Sequence, residues 1–469
     1  MDHPVSKRLG PAVAVVALLV LACGGNGATT APASIAVTPT QGASTAPVTT
    51  PTPAPVATPS PEAACPADAT QIEVQSWWTT GGEATGLQKL FDVFNAANPG
   101  LCAYNAAIAG GAGSRAQAII KARVLGGAPP DSFQVHMGHE LLDTYVNLPG
   151  GSLLDPLPTS VIDPSQFPAG VVKIISGTDG KVYTVPMNIH RANEMWFNKT
   201  VFSSNSLTAP TTWDDFFTTA DALKAKGITA LALGDNGIWA FGMVFEDVLI
   251  AKLGADGFSK LWTDPTAWSD PKVADALTTL QKVYGYVNAD HNALSWDQAN
   301  QLVIDGKAAM TLMGDWANGD YVAKNFTGYG WAPAPGSAQP QGTIYQALAD
   351  SFPLPSLAPD KDATTKLLTF MATAQGQDIF NPYKGSIPAN VTAGHPPANQ
   401  QQYNDYQKSA LADWTNSATV VIPSMEHGAA ASPAFKSAIE AALTAFEGGT
   451  SIADTQTALV SAAQAALAP

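Results

Sequence analysis

Ser76-Trp77-Trp78-Thr79-Thr80-Gly81-Gly82-Glu83 is the stretch on which the reading of this chain turns. Before it, Gln71-Ile72-Glu73-Val74-Gln75 alternates as a short strand does. After it, Leu87, Leu90, Phe91 and Phe94 recur at the spacing of a helix's buried face. The two tryptophans therefore stand where a strand gives way to a helix, which in open α/β sheets is where ligands bind. A flat apolar ring there can stack on the C–H face of a sugar, while Glu83 and nearby backbone N–H groups take hydroxyls. The plainer alternative is that one Trp caps the core and the other is incidental.

The 469 residues are enough for two or three ordinary domains, and at 46% hydrophobic against 13% charged they can bury a sizeable core. A formal net charge of -15 argues against nucleic acid as a partner, since phosphates need a basic surface. It names no ligand.

Lys7 and Arg8 precede an apolar run, Ala12 to Ala22, that is too short for a permanent span and reads as a signal peptide over residues 1–22. It ends in Val20-Leu21-Ala22-Cys23-Gly24, which resembles a bacterial lipobox, so Cys23 is the lipidation candidate; an ordinary secretory signal with a chance Cys is the alternative. Residues 23–64 are dominated by Ala, Thr, Pro, Ser and Gly and read as a disordered tether. The expected product is anchored outside the membrane by lipid. Cys65 and Cys102 remain. An exported compartment permits a disulfide between them if the first two strands are neighbours; otherwise they are two thiols. No further ligands are spaced around them for a metal.

From about residue 70 strand and helix alternate. Tyr104 to Ile108 reads as a strand, and Gly110-Gly111-Ala112-Gly113 opens a helix without nucleotide-loop spacing. Ser132 to His136 is a third strand. Lys181 to His190 and Met195 to Asn198 give a β segment long enough to bridge two lobes. Thr212 or Asp214 caps the helix that Trp213 opens, and residues 238–290 are mostly helical. Strands follow at Ala308 to Met313 and at the edge from Trp331, with a second β crossover at Leu348 to Leu354. Helices complete the chain at about 360–380, 403–414 and 434–467.

In this order the segments resemble the family 1 extracellular solute-binding proteins, the maltose-binding-protein-like receptors of ABC sugar importers. The lipobox, the strand with its Trp pair, Gly126-Gly127-Ala128-Pro129-Pro130-Asp131, Tyr183-Thr184-Val185-Pro186, Thr212-Trp213-Asp214-Asp215-Phe216, Gly306-Lys307-Ala308-Ala309-Met310 and Gly314-Asp315-Trp316 carry the likeness. Within it the chain looks closest to the glucose/mannose-binding type of thermophiles, through Phe133-Gln134-Val135-His136, Asn188-Ile189-His190-Arg191, Leu294-Ser295-Trp296, Asp350-Ser351-Phe352, Lys384-Gly385-Ser386-Ile387 and His427-Gly428. It departs at Gly234-Asp235-Asn236-Gly237-Ile238-Trp239, where that type is rich in Trp and Gln. The resemblance implies an α/β, two-lobed periplasmic-binding-protein-like fold of type II with three interlobe crossovers. Residues 65–192 and 345–385 would form one lobe, 193–344 and 386–469 the other. It also implies a monosaccharide ligand, glucose first and then mannose or galactose, a monomeric receptor, an ABC permease as partner, and no cofactor or metal.

A neutral sugar needs flat rings and a set of polar partners, because each buried hydroxyl left unpaired costs roughly 1–3 kcal/mol. Trp77, Trp78 and Trp296 are the stacking candidates; Glu83, Asp315 and Asp350 accept; Gln134, His136, Asn188, Lys384 and His427 donate or do both. Each has a structural alternative: Asp315 as a helix cap, the histidines as satisfied core groups, Lys384 as a loop lysine. His190 and Arg191 fall on the crossover. Asp315 with Glu83 or Asp350 is also a pair of carboxylates that a glycosidase could use. No Gly-x-Ser-x-Gly elbow is present. An oligosaccharide receptor, a glycan-active hydrolase and a flat polysaccharide-docking module are the rival classes.

Overall fold

The computed structural model describes residues 65–109, 113–339 and 342–468. The expected signal peptide, Cys23, the tether and residues 110–112 of the glycine cluster lie outside them. Among the described residues no helix is long and apolar enough to cross a membrane.

The strand Thr70–Gln75 runs parallel between Leu101–Asn105 and Ser132–Phe133. Parallel neighbours need a crossover, and the helix Gly81–Ala97 supplies it, turning Leu87, Leu90, Phe91 and Phe94 into the core. The second strand starts earlier than the expected Tyr104. The turn ends at once on Gly100 in the left-handed region (φ 90), which brings Leu101 opposite Thr70. A separate sheet takes the order Tyr329–Pro333, Glu194–Asn198, Ala308–Leu312, Thr229–Leu231. Around it lie the helices Trp213–Lys224, closed by a Thr212–Asp215 capping box, Trp239–Lys260, Pro271–Tyr284 and Trp296–Ile304. These sheets are the centres of the two lobes.

Three crossovers are hydrogen-bonded side by side. Asn188–Arg191 is paired antiparallel on one side with Gly342–Leu348, Leu348 opposite His190, and on the other with Ile387–Pro388, Ile387 opposite Ile189. The expected unbroken β segment is interrupted at Met187 and at residues 192–193. Two long helical stretches are likewise divided. Thr373 caps a new helix, Ala374–Lys384, by accepting from Gly376 N, and Gly448-Gly449 separates Pro433–Glu447 from Ile452–Ala466.

Cys65 and Cys102 are joined in a disulfide that closes a loop 37 residues long. Closing a loop of that size restricts the unfolded chain by roughly 2–4 kcal/mol. Cys102→Ser is therefore expected to lower the unfolding free energy by about that amount in urea titration.

The hinge region buries several carboxyl groups. Burial raises Glu194 to about 7 against the pull of Arg191, and raises Glu246 to about 7 against the hydrogen bonds it accepts from Met425 N, Ser424 Oγ and Glu426 N. Both groups titrate near 4.5 when unfolded, so between there and pH 7 the native chain holds more protons than the unfolded one. Stability must then fall as pH rises. Each fully buried group contributes on the order of 3 kcal/mol to that fall. His190, raised, acts in the same direction above 6.5; His427, lowered by burial, acts oppositely below 6.5. Urea midpoints measured from pH 5 to 8 are expected to decline steadily, and a flat profile would contradict this account.

Candidate ligand-binding cleft

The strand's parity decides what the Trp pair does. Ile72, Val74, Ser76 and Trp78 are all fully buried on one side, so Trp77 turns the other way. Trp78 packs edge-on to Phe352 and against Phe380, in the core. It is not a cleft residue, contrary to its assignment as a stacking ring. Trp77 is half-buried and lines a cavity with its ring 5.1 Å from that of His136. Gly113, at φ 94, backs this indole: a Cβ there would stand 2.6 Å from the ring. Gly113, lacking a Cβ, thus leaves room for a wall of the cavity.

Asp350 begins the strand Asp350–Pro355, immediately beyond a crossover, and is the polar centre. Its carboxylate accepts from Gln134 Nε2 at 2.8 Å, Asn188 Nδ2 at 2.9 Å and His190 Nε2 at 3.0 Å, and Lys384 Nζ is 3.9 Å away. Burial opposes its charge, but Lys384 and His190 outweigh burial and hold the carboxyl well below its usual range. Lys384 is ion-paired with Glu83 and lies 4.8 Å over the Trp78 ring. Glu83 is raised by burial in spite of Lys384. His190 also bonds Asp315 through Nδ1. Burial disfavours its cation, yet Asp315 on one nitrogen and Asp350 on the other raise it.

The second lobe supplies the opposite wall. Trp239 opens its helix, Trp296 follows the Ser295 cap, and Trp316 follows Asp315; the Trp316 ring is 5.4 Å from His190 and 5.1 Å from His427. His427 is held by Ser424 Oγ at 2.9 Å and kept well below its usual pKa by burial and by the nearby charges of His136 and Lys436. Together Trp77, Glu83, His136, His190, Trp239, Trp296, Trp316, Leu348, Asp350, Lys384 and His427 line a small cavity of about 40 Å³. That is well below the roughly 300–1,000 Å³ range of small-molecule sites.

Of the residues singled out from sequence, Trp77, Glu83, His136, Trp296, Asp350, Lys384 and His427 meet at this cavity. Gln134, Asn188 and Asp315 lie one layer behind it: the first two grip Asp350, and Gln134 Oε1 also accepts from Trp77 N. Asp315 occupies the cap position of the next helix without a side-chain capping bond, and binds His190 and Arg191 N instead. Sequence reasoning missed Trp316 and Leu348, left Trp239 in doubt and gave His190 to the crossover alone. The crossover position was itself the missed signal, because residues where the chain changes lobe must border the cleft.

The sequence model of the bacterial extracellular solute-binding proteins matches residues 78–378. An uncharacterized ABC transporter extracellular-binding protein of Pyrococcus horikoshii is 35% identical over 78% of this chain and 81% of its own length. A probable sugar-binding periplasmic protein of Rhizobium meliloti is 30% identical over 85% and 94%. Among solved structures, a bacterial solute receptor with exclusive preference for β-D-galactopyranose superposes with TM-score 0.71 at 20% identity, covering 85% of this chain and 99% of that one.

Proposed function

The chain belongs to the bacterial extracellular solute-binding proteins, and from that membership we propose that it is the sugar receptor of an ABC importer, binding a monosaccharide, glucose first, in the interlobe cleft. The observation that carries this is the cavity's lining: four tryptophans around a few fixed charges. Flat rings suit the C–H faces of a pyranose, and Asp350, Glu83 and Lys384 suit its hydroxyls. The same relatives are binding proteins rather than enzymes. A glycosidase reading is disfavoured because Asp315, common to both candidate carboxylate pairs, is fully buried behind the cavity. An extended oligosaccharide would need a longer groove.

Glucose takes precedence because Asn188-Ile189-His190-Arg191, Lys384-Gly385-Ser386-Ile387 and His427-Gly428 resemble the glucose/mannose type. A ligand touching Trp77 and Asp350 on one side and Trp239 and Trp296 on the other favours the closed arrangement. The closed, monomeric receptor, lipid-anchored through Cys23 outside the cytoplasmic membrane, would dock on the permease. Isothermal titration of residues 65–469, unfolded and refolded to remove retained sugar, tests the reading with glucose, mannose, galactose, xylose and maltose. One-to-one binding of a hexose is expected. Binding of maltose alone would replace the monosaccharide, and no binding of any sugar would overturn the proposal.

A further inference from the structure

Away from the cleft floor, three side chains distant in sequence aim unpartnered buried atoms at one another: Asp235 Oδ2, His291 Nδ1 and Glu447 Oε1. The three atoms lie within 4.8 Å of one another, His291 Nδ1 being 3.8 Å from Asp235 Oδ2 and 4.0 Å from Glu447 Oε1. The two separations from His291 are too long for hydrogen bonds, while the Asp235 and Glu447 carboxyl groups are close enough to share a proton. A zinc-class ion in tetrahedral geometry holds its ligand atoms roughly 2.0–2.2 Å away and so about 3.3–3.6 Å apart, a spacing these atoms reach with shifts of a few tenths of an ångström. The Asp235 side chain is 0% exposed and that of His291 8%. Among the described residues neither carboxylate has a lysine or arginine partner. Two buried carboxylates with no cation between them are costly.

The surroundings orient the set. Asp235 Oδ1 accepts from Phe241 N at 3.2 Å, which leaves Oδ2 facing inward. The Tyr284 hydroxyl engages His291 Nε2 at 3.1 Å, which leaves Nδ1 facing the carboxylates, an outer partner of the kind that fixes a ligating imidazole. We propose that Asp235, His291 and Glu447 bind one divalent first-row transition ion of the zinc class, with water completing the coordination. Magnesium and calcium take oxygen ligands, so the imidazole selects against them.

Such an ion would act on the cleft walls from behind. Asp235 lies four residues before Trp239, His291 five before Trp296, and Glu447 ends the helix Pro433–Glu447. The first two loops already touch, Asp235 N donating to His291 O at 2.8 Å and Asn236 N to Leu294 O at 3.0 Å. The ion ties this pair of loops, with their tryptophans, to a third element.

The protein, made without a polyhistidine tag and stripped with EDTA, is titrated with Zn²⁺ alongside Asp235→Asn and Glu447→Gln. One Zn²⁺ per wild-type chain by metal analysis after dialysis is expected, with a raised melting temperature and at least tenfold weaker uptake in each variant. Both variants are isosteric and remove charge, and circular dichroism and sugar titration check that they fold. Equal uptake by all three proteins would place the ion elsewhere, for instance at the exposed His139–Asp143 pair, and overturn the proposal. So would no uptake by the wild type at pH 8 together with greater stability of the variants, which would assign the gap to a proton shared by the two carboxyl groups.

Discussion

Asp350→Asn is expected to weaken sugar binding on the order of a hundredfold. The carboxylate is the acceptor on which Gln134, Asn188 and His190 converge, and the counter-charge nearest Lys384 after Glu83. A hydrogen bond to a charged group contributes roughly 1.5–3 kcal/mol, and an amide would also set an NH₂ against donors already in place. Removing one member of a buried ion pair further costs roughly 3–5 kcal/mol of stability, because Lys384 and His190 keep their charge with less to answer it.

The same variant carries a pH signature. Asp350 is depressed when folded, so its stabilisation is present above its unfolded value of 3.8 and is lost as pH falls below it. In Asp350→Asn that acid-side loss is expected to shrink, while the decline between pH 5 and 8 set by Glu194 and Glu246 persists. Calorimetric titration and urea melts at pH 3 and 6 make both measurements. Binding within threefold of wild type would remove Asp350 from the ligand's contacts.

Trp77, Glu83, His136, Trp296, Asp350, Lys384 and His427 could be read from sequence, the strand-boundary residues among them most directly. Trp77 and His136 stand where a β segment stops and Asp350 where one begins, and period-two alternation with strand-end logic finds such positions. The same alternation, taken one residue further, separates Trp77 from Trp78, since Ile72, Val74 and Trp78 share a face. Residues whose role depends on what folds against them were less legible. His190 reads as a hinge residue until Asp315 and Asp350, 125 and 160 positions away, close on its two nitrogens. Trp316 looks like the first apolar residue of a helix until His190 and His427 are found beside it. The Asp235–His291–Glu447 set has no spacing at all, coming from two loops and a helix end. The α/β alternation was legible because strand and helix periods are local, whereas helix breaks at Thr373 and at Gly448-Gly449 depend on single capping choices.

Trp77→Ala is the second change expected to have a large effect, and its contrast with Trp78→Ala separates wall from core. Trp77 is half-buried, and its loss exposes Gly113 and the His136 edge while opening the cavity. The stacking surface of one indole is worth roughly 2–3 kcal/mol when a ligand covers it. Affinity should therefore fall about 30- to 150-fold, with stability changed by under about 2 kcal/mol. Trp77→Phe keeps a flat ring and should recover most of the affinity. Trp78 is fully buried against Phe352 and Phe380, and its removal should cost roughly 3–5 kcal/mol of unfolding free energy. Any loss of affinity in that variant reaches the cleft through Lys384, whose ammonium rests on the ring. Parallel melts and titrations of the three variants decide the matter. If Trp77→Ala binds as wild type does, the aromatic wall nearest the strand end is packing alone, and the ligand is held from the Trp239, Trp296 and Trp316 side.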